Sequence, residues 1–313
     1  MNLRIWICIT VFMLLCCKNE NVEDNGLSTE SKILSRDTDT SIFITSDNII
    51  NDKVTIRDSI FNYDSYENFI KSMVNSNRFV FVPLDEFSQT FSSEKVVVGL
   101  RHDIDYDIAS SIRFARREYR NGVRATYYFL NTADYYCDIA KNPVVRKPAV
   151  LDYMRKIQDE YKHEVGWHND LVTFQVVYNI DVKTYLSREL EFLRNKGIRI
   201  VGSSYHGSEY CYLYHYLYFY IWNYRIERKV YGPQGPPFEN YDSVLVDGIY
   251  KKINKFEFSD FGFKYEAGLL NNNYFFADAF FYNNKRWSMA MFDWDSLRPG
   301  DRVIILTHPA LWD

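Results

Sequence analysis

The chain has 313 residues, of which 47% are hydrophobic and 25% charged, with only 13 Gly and 8 Pro. This composition is typical of a folded globular protein and excludes a disordered or collagen-like chain. The chain has 37 Lys and Arg and 41 Asp and Glu, so its formal net charge is −4. It therefore has no excess of basic charge to bind the phosphates of a nucleic acid.

The first 17 residues have the pattern of an export signal. Arg4 precedes an uncharged apolar stretch over residues 5–15, which is shorter than the roughly 20 residues of a membrane-spanning helix. The segment ends in Met13-Leu14-Leu15-Cys16-Cys17. This ending resembles the lipobox of bacterial lipoproteins and would place the lipid on Cys17. We therefore expect an exported protein, lipid-anchored to the bacterial cell envelope on its periplasmic or surface face; a plain secretory signal or an uncleaved anchor is the alternative.

Residues 18–58 are rich in Asn, Asp, Ser, Thr and Glu and show no sustained apolar period. Such a composition is typical of a flexible tether, which a lipid-anchored protein needs to stand off its membrane. The isolated run Ile42-Phe43-Ile44 could form a short strand against the body of the protein. We assign residues 59–313 to the folded domain.

The folded domain shows alternating strand and helix patterns. Apolar residues at helical spacing indicate helices, and Gly122 follows the first of them. Asp181 can cap the start of the third helix, and Gly197 follows its end. Repeated strand-then-helix order predicts parallel strands connected through helices. The predicted strands span residues 96–100, 125–130, 164–168, 198–205 and 302–306, and the predicted helices span residues 108–119, 150–161 and 182–193.

Four of the six histidines lie at or just after the end of a predicted strand: His102, His168, His206 and His308. The carboxyl ends of parallel strands meet at one edge of a sheet or barrel, where α/β proteins carry their chemistry. We therefore expect these histidines to lie at one rim. The alternative is that they are satisfied separately in unrelated loops.

Aromatic residues make up 18% of the chain, and a block of them follows His206. The run from Tyr210 to Tyr220 is shorter than a membrane span, and tyrosine hydroxyls need hydrogen-bond partners. We interpret it as an insertion packed beside the rim, with stacking on sugars as a possible use. Residues 242–295 are predicted to be a second, β-rich insertion.

Three short motifs carry a family resemblance. Arg101-His102-Asp103-Ile104-Asp105, His163-Glu164-Val165-Gly166-Trp167-His168 and Leu306-Thr307-His308-Pro309 are similar to motifs of the NodB-homology polysaccharide deacetylases, in the branch with His-Asp-Ile/Val-Asp. The resemblance covers residues 94–313. It implies an α/β fold, an irregular (β/α) barrel of about seven parallel strands, here with the aromatic and β-rich insertions.

The resemblance also implies an activity. It predicts a metal-dependent hydrolase that removes N- or O-acetyl groups from an envelope or extracellular polysaccharide. The implied cofactor is a divalent metal, with zinc as first choice and cobalt, nickel or manganese as alternatives for such ligands. The competing hypothesis is a non-catalytic glycan-binding lipoprotein on a degenerate barrel.

The resemblance assigns roles to the two carboxylates of the first motif. Asp103 would be the general base and Asp105 a metal ligand, and because they alternate along a strand they face the same side. Ile104 separates them where most relatives have adjacent aspartates, so the two roles could be exchanged.

The remaining ligands and the acid come from later motifs. His168 matches the first histidine of the family's His-x-x-x-His metal motif, but Val172 stands in place of the second. Asp170 and His206 are the two candidates for the third ligand. His308 matches the catalytic acid that would protonate the departing amine or alcohol.

Four residues are candidate substrate contacts: Arg101, Tyr210, Asp278 and Trp287. Arg101 could instead orient the base carboxylate. A buried ion pair would explain Asp278, and a core position would explain Trp287, about as well as substrate binding does.

Overall fold

The computed structural model describes residues 61–141, 143–208, 210–211, 221–222, 241–279, 281–282 and 285–312. The predicted signal segment with Cys17, the predicted tether over residues 18–58 and most of the aromatic run lie outside these ranges. Within them, none of the helices combines the length and the apolar character needed to cross a membrane.

The core of the fold is a curled parallel sheet, so the chain is a mixed α/β protein. Seven strands follow one another in the order β10-β7-β6-β3-β2-β14-β11, and each neighbouring pair is parallel. Their bounds are β2 Val96–Ile104, β3 Thr126–Leu130, β6 Glu164–Asn169, β7 Ile200–Tyr205, β10 Tyr265–Glu266, β11 Tyr274–Ala277 and β14 Arg302–Thr307. An eighth strand, β1 (Phe79–Val82), pairs with the first half of β2. The sheet is consistent with a partial (β/α) barrel.

Helices and small hairpins surround the sheet. The antiparallel hairpins are β4–β5 (Cys137–Asp138 with Val145–Arg146), β8–β9 (Tyr241–Val246 with Ile249–Asn254) and β12–β13 (Phe281–Tyr282 with Lys285–Arg286). The α-helices are α1 Tyr63–Asn75, α2 Leu84–Phe87, α3 Ile108–Arg120, α4 Ala149–Arg155, α5 Leu171–Val176 and α6 Val182–Asn195. The short 3-10 helices are Phe258–Phe261, Ala267–Leu269, Met289–Met291, Trp294–Ser296 and Pro309–Leu311.

Strand β2 lies near the middle of the sheet and is buried along its whole length. Its side chains alternate between the two faces of the sheet. Val97 packs inside the curl with residues of α2, and the same face carries Arg101 and Asp103 towards the carboxyl end. The opposite face packs against α1 and α3. One face of β2 therefore lines the inside of the curl, and the other face packs against the helices.

Two tyrosine rings fill the inside of the curl below the carboxyl ends of the strands. A Cβ at Gly166 would lie 2.3 Å from the ring of Tyr128, and one at Gly202 would lie 2.2 Å from Tyr265. The Tyr128 hydroxyl donates to the Tyr265 hydroxyl (2.8 Å), which donates to the buried Glu164 carboxylate (2.7 Å). The rings fit only because both glycines lack a side chain, and the hydroxyls satisfy each other.

The predicted alternation of strands and helices is confirmed over β2 to β7 and at β14, with bounds shifted by a few residues. Asp181 caps α6 by accepting a hydrogen bond from the Thr184 amide, and Gly122 and Gly197 adopt positive φ after α3 and α6. The second predicted helix ends earlier: after Arg155 it continues as a π-helical turn, Lys156–Glu160. Helix α1, strand β1 and helix α2 were not predicted.

His102 corrects the prediction that four histidines share one rim. It lies on the helix-facing side of β2 and is fully buried, with Nε2 2.7 Å from Glu118 and Nδ1 2.6 Å from the Thr307 hydroxyl. Glu118 on α3 also accepts hydrogen bonds from Tyr66 and Tyr127. Burial alone would raise the pKa of Glu118, but the histidines and the hydroxyl donors outweigh it and lower the pKa to about 2. This carboxylate joins α1 and α3 to the sheet.

We expect Glu118→Gln to lower the free energy of unfolding by about 3 to 5 kcal/mol, because the new NH2 group faces the groups of Tyr66, His102 and Tyr127 that contact the carboxylate oxygens. The folded-state pKa lies below the ordinary value, so the stabilisation is full above about pH 5 and is lost as the pH falls towards 2. Urea unfolding of both proteins at several pH values measures the difference.

The matched control is Glu86→Gln, which removes a carboxylate paired with Arg124 where both side chains are more than 40% exposed. Its cost should stay below about 1 kcal/mol. A similar cost for the two variants would contradict the assigned role of Glu118.

Candidate metal centre

The carboxyl ends of neighbouring strands bring five polar side chains together. Asp103 and Asp105 come from the end of β2, His168 from β6, His206 from the residue after β7, and His308 from the residue after β14. Because these strands are parallel, their carboxyl ends lie on one side of the sheet. The predicted convergence of these residues is thus observed, with His102 as the exception described above.

Three of these residues form a group with the dimensions of a metal site. Ligand atoms of Asp105, His168 and His206 all lie within 4.8 Å of one another. The Oδ1 atom of Asp105 is 3.3 Å from Nε2 of His168 and 4.0 Å from Nε2 of His206. A tetrahedral ion with bonds near 2.05 Å separates its ligand atoms by about 3.3 Å. The first distance therefore already matches, and the second needs a small closing movement.

The hydrogen bonds around Asp105 leave a place for a cation. Among the residues that the structure describes, its buried Oδ1 atom has no hydrogen-bond partner, although two imidazole Nε2 atoms face it. An unpartnered buried carboxylate oxygen is costly, and a divalent ion between it and the imidazoles would remove that cost. A carboxylate with two imidazoles is a donor set that zinc and other first-row divalent metals accept. The residues present therefore fit such a metal.

His168 has its proton on the side away from this cluster. Its Nδ1 atom is 2.9 Å from the carbonyl oxygen of Ser204, which can only accept, so Nδ1 is the donor. In the neutral ring Nε2 then carries the lone pair and faces Asp105. This backbone contact orients the imidazole and fixes the tautomer that a metal ligand needs.

Of the two candidates for the third ligand, His206 is the one in the cluster. Asp170 lies on the other side of that ring, with Oδ2 3.4 Å from His206 Nδ1, and it accepts a hydrogen bond from Thr132 (3.0 Å). Burial alone would lower the pKa of His206, but Asp170 and Asp105 outweigh it and raise the pKa. Asp170 also caps α5 at the Thr173 amide, so its position is that of an outer partner that orients His206.

Arg101 holds the Asp103 carboxylate in place. Its Nε and one terminal nitrogen donate to the two carboxylate oxygens at 2.9 and 2.7 Å, and the same terminal nitrogen donates to Ser204 at 2.5 Å. Both side chains are at most 3% exposed. Burial alone would raise the pKa of Asp103, but the guanidinium outweighs it and lowers the pKa. Arg101 is thus placed to orient the Asp103 carboxylate, and its burial does not fit the predicted substrate contact.

His308 is backed by a buried aspartate. Asp278 accepts from Nδ1 of His308 (2.6 Å), from the His308 backbone amide (2.8 Å) and from the indole of Trp312 (2.8 Å). The opposite nitrogen of His308, Nε2, faces Asp105 Oδ2 at 3.9 Å. Burial alone would lower the pKa of His308, but Asp278 outweighs it and raises the pKa to about 9.

Two further predicted substrate contacts are placed elsewhere by the structure. Asp278 is fully buried, and its bonds to His308 and Trp312 make it a positioning residue. Trp287 is 4% exposed and stacks on Phe276 with ring centroids 5.0 Å apart, so it belongs to the core. Tyr210 is partly buried in a short helical turn, and residues 212–220 of the aromatic run lie outside the described residues.

Sequence analysis did not identify three of the supporting residues: Ser204, Thr132 and Trp312. Each acts on a site residue from a different element, so no local spacing reveals it. Ser204 alone had a signal, because it lies near the end of the predicted strand that runs into His206.

A comparison with models of protein families found no match, and comparisons with curated proteins and with solved structures found none either. The geometry of this rim and the motifs in the sequence therefore carry the functional argument.

We expect the zinc-loaded chain to bind about one ion, and Asp105→Ala, His168→Ala and His206→Ala each to lose it, because each removes a ligand atom. Asp170→Ala should bind zinc about 10- to 100-fold more weakly, because it removes only the outer partner of His206. Metal content by mass spectrometry and zinc titration measure both effects.

Asp64→Ala is the matched control, since this aspartate is 90% exposed at the start of α1. It should bind zinc like the unsubstituted chain. Loss of less than half of the zinc in all three ligand variants would exclude this cluster as the metal site.

Proposed function

We propose that the protein is a metal-dependent deacetylase that removes N- or O-acetyl groups from an envelope or extracellular polysaccharide. The observation that carries the proposal is one rim holding three separate devices. These are a carboxylate with two imidazoles in the cluster Asp105, His168 and His206, a second carboxylate paired with an arginine, and a third imidazole backed by an aspartate. Hydrolysis of an acetyl group needs all three: a Lewis acid, a base and an acid.

The metal, when bound, supplies the Lewis acid and lowers the pKa of a water molecule at the site. The remaining work falls to residues of the chain. Asp103, held ionised by Arg101, is the base that accepts the proton of the attacking water. Its Oδ2 atom lies 3.5 Å from Nε2 of His168, so the base is next to the candidate ligands without being part of the three-residue cluster.

His308 is the acid for the leaving group. Because Nδ1 donates to Asp278, the ring presents Nε2 towards the side of Asp105. From there Nε2 can give a proton to the departing amine or alcohol of the sugar. Asp103 lies at the end of β2, and His308 follows β14, the strand that pairs with β2 in the sheet.

The resemblance of the three motifs to the NodB-homology deacetylases supports the same activity. The parallel sheet agrees with the barrel that the resemblance implies, and within the proposal the sheet is part of such a barrel. The lipobox-like ending at Cys17 supports a location at the cell envelope, where an acetylated polysaccharide is within reach of a tethered enzyme. Zinc is the proposed metal.

The competing hypothesis of a non-catalytic glycan-binding protein rested on Val172, which replaces a ligand histidine. His206 supplies an imidazole at the cluster from another strand. The substitution at Val172 therefore no longer argues against a three-ligand site, and the deacetylase is the function that the geometry supports best.

We expect the zinc-loaded chain to release acetate from an acetylated oligosaccharide, and Asp103→Asn and His308→Ala each to lower kcat by about 10²- to 10⁴-fold, because each removes a proton-transfer group. Both variants should keep their zinc, since neither residue belongs to the cluster. Acetate is measured with an enzyme-coupled assay on hexamers of N-acetylglucosamine and of O-acetylated xylose.

Asp64→Asn serves as the control and should keep the full rate. Two results would overturn the proposal: no acetate release by a chain with one bound zinc, or full activity in both Asp103→Asn and His308→Ala.

A further inference from the structure

Tyr106 is an exposed aromatic residue in the three-residue connection between β2 and α3. It directly follows Asp105 and directly precedes Asp107, which caps α3 by accepting a hydrogen bond from the Ala109 amide at 2.9 Å. The backbone is thus held on both sides, by the last pairs of β2 and by the helix cap. Its side chain is 53% exposed. A large ring is therefore presented to solvent on a short, anchored turn beside the cluster.

Tyr106 directly follows Asp105, and the Asp105 carboxylate faces both the cluster and the proposed acid, with Oδ1 3.3 Å from His168 Nε2 and Oδ2 3.9 Å from His308 Nε2. Burial of the remaining surface and then the carboxylates of Asp105 and Asp278 raise the pKa of its phenol, while Arg286 lowers it. Asp278 is the residue that holds His308, and Asp105 Oδ2 is the oxygen that faces the same imidazole. The chain thus places Tyr106 directly beside a residue whose carboxylate faces the imidazole that would give its proton to the leaving group.

The molecule has other exposed aromatic rings, but they stand on different elements. Among the described residues, the large exposed aromatics besides Tyr106 are Phe91, Tyr119, Tyr178 and Tyr250. None of these adjoins a residue of the cluster in the chain. Tyr119, on α3, has a similar exposed fraction of 48% and lies near Tyr161. It provides a matched comparison for a ring that differs mainly in position.

We propose that Tyr106 is the platform on which the acetylated pyranose ring stacks. The ligand class is a pyranose with an apolar face, and the proposal rests on the deacetylase function above. A tyrosine ring offers a flat apolar surface with little conformational entropy to lose, which suits the CH-rich face of a sugar. A sugar stacked there would lie beside Asp105, whose Oδ2 atom is 3.9 Å from Nε2 of His308.

A platform of this kind makes Tyr106 a specificity-determining residue. A polysaccharide substrate uses the ring contact, while a small acetyl ester does not present a sugar face to it. Binding energy taken from a part of the substrate that does not react favours the glycan over the small ester. The ratio of kcat/KM for an oligosaccharide to kcat/KM for an aryl acetate therefore reports on the platform.

The test compares Tyr106→Ala with Tyr106→Trp and Tyr119→Ala in the zinc-loaded full chain. Affinity is measured by ligand-observed NMR with hexamers of N-acetylglucosamine and of O-acetylated xylose, and the kcat/KM ratio with the same hexamers against 4-nitrophenyl acetate. Tyr106→Ala should weaken hexamer binding and lower the ratio by about tenfold, the effect of one lost ring contact. Tyr106→Trp should keep both within about threefold, and Tyr119→Ala should change neither.

Equal hexamer affinity in Tyr106→Ala and the unsubstituted chain would overturn the platform, as would a chain that binds neither hexamer. The result separates the platform from the proposed reaction. Hexamer binding that depends on Tyr106 without any acetate release would support the platform and contradict the deacetylase. Acetate release with unchanged hexamer affinity in Tyr106→Ala would do the reverse.

Discussion

The buried ion pair between Arg101 and Asp103 is the interaction around which the rim is built. Both side chains are nearly inaccessible, and burying two charges costs several kcal/mol each unless they are paired and hydrogen-bonded. The two-point contact and the additional bond to Ser204 meet that requirement. The same serine carries the carbonyl group that orients His168. The residue that completes the ion pair thus also fixes the tautomer of a candidate metal ligand.

The alternation of β2 explains why its two faces have separate tasks. Arg101 and Asp103 point into the curl of the sheet, while His102 points to the helices and binds Glu118. On the neighbouring strand, Thr307 binds His102 and the next residue is His308. The network of Thr307, His102 and Glu118 therefore lies on the opposite face of β2 and β14 from the curl, and it connects both strands to helix α3.

The sequence contains enough to predict much of this architecture, because its signals are local. The apolar spacing in α3, the Asp181 cap and the glycines after α3 and α6 mark elements that the structure also has. Helix α1 had a comparable signal in Tyr63, Tyr66, Ile70 and Met73, at spacings of three, four and three, but it adjoined the polar segment and was not identified. Successive side chains of β2 point to opposite faces of the sheet, so His102 and Asp103 lie on different faces. This alternation alone could have excluded His102 from the predicted rim.

The parts that could not be predicted depend on residues meeting across the fold. Asp278 carries no sign in the sequence that it binds the ring of His308, because 30 residues separate them. The choice between Asp170 and His206 is of the same kind. Both follow strand ends. Only the structure shows that Asp105 and Asp170 face opposite nitrogens of the His206 imidazole, so that His206 and not Asp170 faces Asp105. Arg101 and Trp287 are excluded as substrate contacts because they are buried, and burial depends on the packing of the whole fold.

The tyrosine rings inside the curl connect the smallest residues of the sheet to the rim. The guanidinium carbon of Arg101 lies over the ring of Tyr128, 5.8 Å from its centroid, and one edge of this ring fills the space left by Gly166. A single methyl group at that glycine would have to displace the ring, and the guanidinium is among its neighbours. Gly166 therefore helps to determine the position of the ion pair between Arg101 and Asp103, although it carries no functional group. The geometry of the rim therefore depends on the absence of side chains at Gly166 and Gly202.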